Sequence, residues 1–152
     1  MHLMSTDSVT EIFSLDHRRL DAILADAKRG LAAGDIAQAS ERFSEFRSGL
    51  ERHIAVEEEV LFPAFEALAG AAAARPTEVM RREHVELRRL MAEVSDQLER
   101  GGEPGHATPF AALTALVYAH NGKEERILYP ATDAAAQRAD ALEALVERVR
   151  AF

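Results

Sequence analysis

Two stretches of the chain carry imidazole and carboxylate side chains at a spacing suited to holding metal. The first is His53-Ile54-Ala55-Val56-Glu57-Glu58-Glu59-Val60-Leu61-Phe62-Pro63-Ala64. The second is His120-Asn121-Gly122-Lys123-Glu124-Glu125-Arg126-Ile127-Leu128-Tyr129-Pro130-Ala131. Both read His-x-x-x-Glu-Glu-x-x-Leu-aromatic-Pro-Ala, and the step from 53 to 120 is 67 positions. Asp16-His17-Arg18-Arg19-Leu20 and Glu83-His84-Val85-Glu86-Leu87 keep the same separation. Side chains four apart on a helix lie one above the other. His53 with Glu57, and His120 with Glu124, can therefore each aim a nitrogen and a carboxylate at one point, with His17 and His84 adding one imidazole each.

Imidazole suits iron, zinc, copper and nickel, and carboxylate shifts the preference toward harder ions such as iron and manganese. If Glu57 and Glu124 each bridge two ions, each ion has two nitrogens and two carboxylate oxygens. A bridging oxo or hydroxo group adds a fifth ligand, and an octahedral ion keeps one open position for dioxygen, peroxide or nitric oxide. Without metal, two carboxylates in an apolar core cost several kcal/mol or take up protons, so metal removal is expected to lower thermal stability. A lone histidine on an apolar helical face is more often a hydrogen-bonded core residue. Four of them on inward faces, two with an inward glutamate and all under one offset, do not fit that description.

These residues must be positioned by long helices. The first is expected to start near Ser5–Ser8 and to end at about 28–33, with Ile12, Phe13, Leu20, Ile23 and Leu24 on the face that holds His17. Gly34 is a turn and Asp35 caps a second helix from Ile36 to about Leu68, in which Pro63 predicts a bend or an end. Residues 70–76 read as a connection, and a third helix follows from about Thr77 to Arg100, its stripe including Met80, His84, Leu87 and Met91. Residues 101–107 form the clearest loop. Thr108-Pro109 starts a fourth helix, expected to run to about Tyr129, and residues 133–151 read as a short C-terminal helix packed outside the bundle or against another subunit. Strand signals are nearly absent. The expected fold is all-α: an antiparallel up-down-up-down four-helix bundle with an internal two-fold repeat. It forms one domain over 1–152, with its core bundle at about 8–131.

Other candidates read as structural. His2 is terminal and His106 lies in a Gly/Pro loop. Glu58 and Glu125 fall about 100° around the helix from the inward glutamates and read as surface charges. Phe62 and Tyr129 read as packing residues, Tyr118 as pointing away from the site, and Met80 and Met91 as core filler.

Composition sets outer bounds. With 152 residues, 47% apolar residues and a formal charge of −8, the chain reads as globular and acidic. That argues against non-specific nucleic-acid binding and against an anionic membrane surface. No cysteine is present, which excludes thiol catalysis, Cys-ligated zinc and protein-held iron–sulfur clusters. The first residues show no basic region before an apolar run, and no stretch approaches the ~18 apolar residues of a membrane span. The expected location is cytoplasmic.

The duplicated motifs resemble those of the hemerythrin-like, HHE cation-binding domain family over about residues 8–131. The resemblance implies a four-helix bundle with a non-haem di-iron centre: two iron ions (Fe2+/Fe3+) joined by an oxo or hydroxo bridge, with zinc or manganese as substitutes. It implies His17, His53, His84 and His120 as terminal ligands and Glu57 and Glu124 as bridging carboxylates. Oxygen-carrying hemerythrins use an additional histidine, and no fifth inward histidine is evident here. The site is similar to the symmetric four-His, two-Glu variety, in which both metals are open by coordination arithmetic.

The leading functional expectation is reaction with, or binding of, a small diatomic ligand or peroxide, with a redox partner. One alternative is a sensing module, and another is iron supply to damaged iron–sulfur centres. A homodimer through the last helix is a further expectation. A ferritin-like site needs Glu-x-x-His on helices, and the pair Glu103–His106 lies in a loop, so that reading is rejected.

Overall fold

The computed structural model describes residues 8–102 and 108–152. Five helical segments account for nearly all of them, and no strand occurs among the described residues. Helix α1 is Val9–Ala32. Helix α2 covers 36–69: α-helical over Ile36–Val56, π-helical over Glu57–Leu61 and α-helical again over Phe62–Ala69. Helix α3 is Ala71–Glu99. Helix α4 covers 108–138 in the same three-part form: Thr108–Lys123, the π segment Glu124–Leu128, and Tyr129–Arg138. Helix α5 is Leu142–Ala151.

Caps explain most boundaries. Ser8 accepts a hydrogen bond from the backbone N–H of Glu11, and Asp35 does the same for Gln38, satisfying amides that the first turn leaves without partners. Gly34, at φ +76°, takes the left-handed conformation that reverses the chain after α1. The start of α1 also has an acceptor far away in sequence. The Asp133 carboxylate accepts from the N–H of Val9 (2.8 Å), the N–H of Thr10 (3.0 Å) and the Thr10 hydroxyl (2.7 Å). Residues Ser5–Asp7, 103–107, and the side chain of Thr108 lie outside what is described, so the expected cap at Thr108, and His2 and His106, do too.

Three expected boundaries are corrected. The second helix runs through Pro63 to Ala69, close to the expected Leu68, whereas Pro130 does not end α4 at the expected Tyr129. Each proline lacks an N–H, and the helix absorbs the gap by widening one turn. Phe62 N–H bonds Glu57 C=O and Tyr129 N–H bonds Glu124 C=O, five residues back instead of four; a single π turn of this kind inside an α-helix is often found at functional sites. The fourth helix therefore runs on to Arg138, and the C-terminal helix is Leu142–Ala151, not one covering 133–151. Asp140 at φ +54° makes the turn between them, a conformation that aspartate tolerates. The stretch 70–76 is not a connection. Gly70, at φ +59°, alone breaks the chain, and Ala71–Ala74, strong helix formers, begin α3 with Pro76 inside it.

Apolar side chains form two separate clusters. One holds Leu20, Leu24, Phe43, Phe46, Leu50, Leu87, Met91, Leu113 and Val117. The other holds Val9, Phe13, Leu61, Phe62, Phe65, Met80, Leu128, Tyr129, Leu145 and Val149. Leu145 and Val149 come from α5, so the C-terminal helix packs on its own chain's core. Met80 and Met91 are core residues and Tyr118 is exposed, as expected. His17 lies between Phe13 and Leu20 in sequence, and His84 between Met80 and Leu87. Each helix of the first four thus carries its polar residues between the two clusters. Among the described residues no helix is long and apolar enough to cross a membrane.

Candidate metal centre

The polar layer between the clusters contains all six expected residues. His17, His53, His84 and His120 are buried, and Glu57 and Glu124 are 0% exposed. Their donor atoms form two groups, each within 4.8 Å: His17, His53, Glu57 and Glu124 in one, Glu57, His84, His120 and Glu124 in the other. The glutamates belong to both. Glu57 turns Oε2 toward His53 Nε2 (3.4 Å) and Oε1 toward His84 Nε2 (3.1 Å). Glu124 turns Oε1 toward His17 Nε2 (3.2 Å) and Oε2 toward His120 Nε2 (3.1 Å). One oxygen of each carboxylate thus faces each histidine pair.

All four imidazoles aim Nε2 inward, and the reason is on their other edge. Nδ1 of His17 meets Glu125 at 2.6 Å, Nδ1 of His53 meets Asp16 at 2.8 Å, Nδ1 of His84 meets Glu58 at 2.8 Å, and Nδ1 of His120 meets Glu83 at 2.7 Å. A carboxylate only accepts, so Nδ1 carries the proton and donates. Nε2 is then the nitrogen whose lone pair can take a metal, and the carboxylate raises its basicity. The four contacts run in a closed circuit. Helix α1 supplies Asp16 to α2, α2 supplies Glu58 to α3, α3 supplies Glu83 to α4, and α4 supplies Glu125 back to α1.

Glu58 and Glu125 correct the sequence reading, which placed them on the outer surface. They are partly buried beside the neighbouring helix's histidine. A helix of uniform pitch turns them about 100° from Glu57 and Glu124, but both sit in the widened π turns, where pitch-based arithmetic fails. A usable signal was present: Asp16 with Glu83, and Glu58 with Glu125, obey the 67-residue offset.

Tyr129 is the second correction. Beyond packing, its hydroxyl lies 2.5 Å from Glu57 Oε2, 2.8 Å from Glu124 Oε1, 3.2 Å from His17 Nε2 and 3.3 Å from His53 Nε2. Its repeat partner Phe62 does pack, stacking on His84 with ring centroids 5.6 Å apart and planes 14° from parallel.

The protonation pattern fits a site made for cations. Burial works against charge on His53, but the Glu57 carboxylate and the bond to Asp16 outweigh it and push the pKa up to about 10. Burial likewise opposes charge on His120, and Glu124 and Glu83 push it up to about 9. Glu57 is held well below the usual carboxylate range, its burial outweighed by charged His53 and by hydrogen bonds from its neighbours. Without metal, protons on His53 and His120 thus offset the buried carboxylates, a counter-charge that the sequence reading did not foresee. Even so, Glu57 Oε1, His84 Nε2 and Glu124 Oε2 are buried with no hydrogen-bond partner. A buried polar atom without a partner costs about 1–3 kcal/mol. Three such atoms converging on one spot, with hard oxygen and imidazole donors around them, fit a metal ion.

A family model for the hemerythrin HHE cation binding domain matches residues 8–132, most of the chain. Comparisons with curated proteins and with solved structures give no match.

Proposed function

The chain belongs to the hemerythrin HHE cation-binding domain family, and from that premise we propose that it holds a pair of iron ions and reacts with or binds dioxygen, peroxide or nitric oxide. The observation that carries this is the division of each buried carboxylate between two histidine pairs. In this reading His17 and His53 serve one position, His84 and His120 the other, and Glu57 and Glu124 bridge them. Iron held by these residues would supply the redox change.

The protein's own residues do the rest. The outer carboxylates Asp16, Glu58, Glu83 and Glu125 keep the proton on Nδ1 and fix each ring. The apolar clusters on either side of the layer exclude water and admit small, weakly polar molecules more readily than ions. Imidazole suits iron as well as zinc, and the two shared carboxylates shift the set toward harder ions such as iron and manganese. An up-down-up-down order of the four helices is part of this proposal, supported by successive helices crossing the polar layer from opposite apolar clusters.

The test is metal content and the optical spectrum of anaerobically purified protein, before and after air, peroxide and nitric oxide. Two irons per chain and consumption of one of these reagents are expected. An iron-loaded protein that leaves all three untouched would remove the reactivity from this proposal.

A further inference from the structure

The internal repeat is broken at one place that matters for the site: Tyr129 stands where the other half has Phe62. We propose that Tyr129 is a protein donor to the His17/His53 position, so that the two metal positions are unequal and the one open to a small ligand lies on the His84/His120 side. This rests on the two-metal reading above.

The geometry is that of a coordination polyhedron. Metal–donor bonds of about 2.1 Å at right angles put neighbouring donors about 3 Å apart. In the first group the contacts are His17 Nε2 to His53 Nε2 at 3.1 Å, His17 Nε2 to Glu124 Oε1 at 3.2 Å, and His53 Nε2 to Glu57 Oε2 at 3.4 Å. The Tyr129 oxygen joins this set at 2.5–3.3 Å from all four atoms. Five donor atoms therefore surround one point. A hydrogen bond to a single carboxylate would not need the phenol to approach both nitrogens as well.

The second group has only four donors. Phe62 lies flat against His84 and offers no oxygen. The three buried atoms without partners, Glu57 Oε1, His84 Nε2 and Glu124 Oε2, all belong to this side. Allowing one shared bridge, the first position is complete at six and the second is left one short. Both positions open, as expected from the six-residue set, is thereby revised to one. Binding as phenolate releases the phenol's proton to water as the metal enters.

Ferric-loaded wild-type protein tests this. Expected are two irons per chain, a visible phenolate-to-iron charge-transfer band with phenolate ring modes in resonance Raman, and two distinct Mössbauer doublets. Tyr129→Phe should keep both irons, lose the band and merge the doublets. Tyr118→Phe, which removes the chain's other tyrosine at an exposed position, should leave the band in place, and serves if Tyr129→Phe does not fold. Loss of the band in that variant would overturn the Tyr129 assignment. Two bound irons without a phenolate band in the wild type would overturn the Tyr129 assignment and leave the two-metal reading standing. A wild type that binds no iron pair would remove both.

Discussion

Glu125 accepts a hydrogen bond from Nδ1 of His17 at 2.6 Å, although the two residues are 108 positions apart. This contact joins the last long helix to the first and closes the circuit of outer carboxylates. Each inward histidine is held by an acid on the preceding helix, so ring orientation, tautomer and helix packing depend on the same four contacts.

Glu125→Ala should therefore weaken metal binding without removing any inward donor. Loss of such an outer partner costs about 10–100-fold in metal affinity. Chelator competition with zinc or Fe(II) measures it, with circular dichroism to show that the helices persist. Glu58→Ala, its repeat partner, should behave alike. An unchanged affinity in both would mean that the circuit does not tune the inward nitrogens.

Much of this site could be read from residue spacing alone. The four histidines and Glu57 and Glu124 stand on inward stripes with apolar neighbours at three and four positions, and burial follows from that periodicity. The helices around Pro63 and Pro130 were less legible, because a proline marks a lost hydrogen bond but not whether the helix stops or widens. Glu58 and Glu125 were misplaced for that reason. Tyr129 was missed on different grounds. Its aromatic ring packs as Phe62 does, and only the three-dimensional site reveals that the added oxygen reaches four donor atoms. The continuation of α4 to Arg138 has a long-range cause, since Asp133 is needed at the start of α1.

Asp133→Ala should lower stability while leaving the metal layer intact. It removes the acceptor for two backbone amides and one hydroxyl at the start of α1. Loss of a helix N-terminal acceptor costs about 0.5–2 kcal/mol, which for a chain of this length is roughly 1–8 °C in Tm. Thermal melts of metal-loaded wild type and variant check it, and an unchanged metal stoichiometry is expected alongside.

Metal removal should lower Tm even though protonated His53 and His120 offset part of the buried charge. A ligand at 100 times its Kd stabilises the folded form by about 2.7 kcal/mol, or roughly 5–10 °C here. Calorimetry of the same preparation before and after exhaustive chelation measures the difference. Coincident melts would contradict a metal held by the folded state.

The metal-free and metal-bound forms should respond to pH in opposite senses. In the metal-free fold, burial opposes charge on His53, but Glu57 and Asp16 keep it protonated to about 10. His120, opposed by burial and supported by Glu124 and Glu83, stays protonated to about 9. In the unfolded chain both titrate near 6.5. Between those values the folded form binds more protons, so this stabilisation is full below about 6.5 and lost as pH rises through 9 to 10. Metal must displace the same protons, so its affinity should rise across that range. Denaturant titrations of metal-free protein and zinc competition assays at matched pH values give the two slopes. Slopes of the same sign would show that the inward nitrogens do not carry these protons.

Single substitutions should separate a shared ligand from an unshared one. His84 belongs only to the group with Glu57, His120 and Glu124, whereas Glu57 belongs to both groups. His84→Ala leaves His17, His53, Glu57 and Glu124 together, so one metal per chain should remain. Glu57→Ala takes an oxygen from each group and also strands His53 and His84, whose inward nitrogens face it at 3.4 and 3.1 Å. Both positions should then fail together. Elemental analysis of the two variants, with circular dichroism as the fold control, distinguishes these outcomes. If Glu57→Ala retained one tightly bound metal as His84→Ala does, Glu57 would serve a single position and the carboxylate would not be shared.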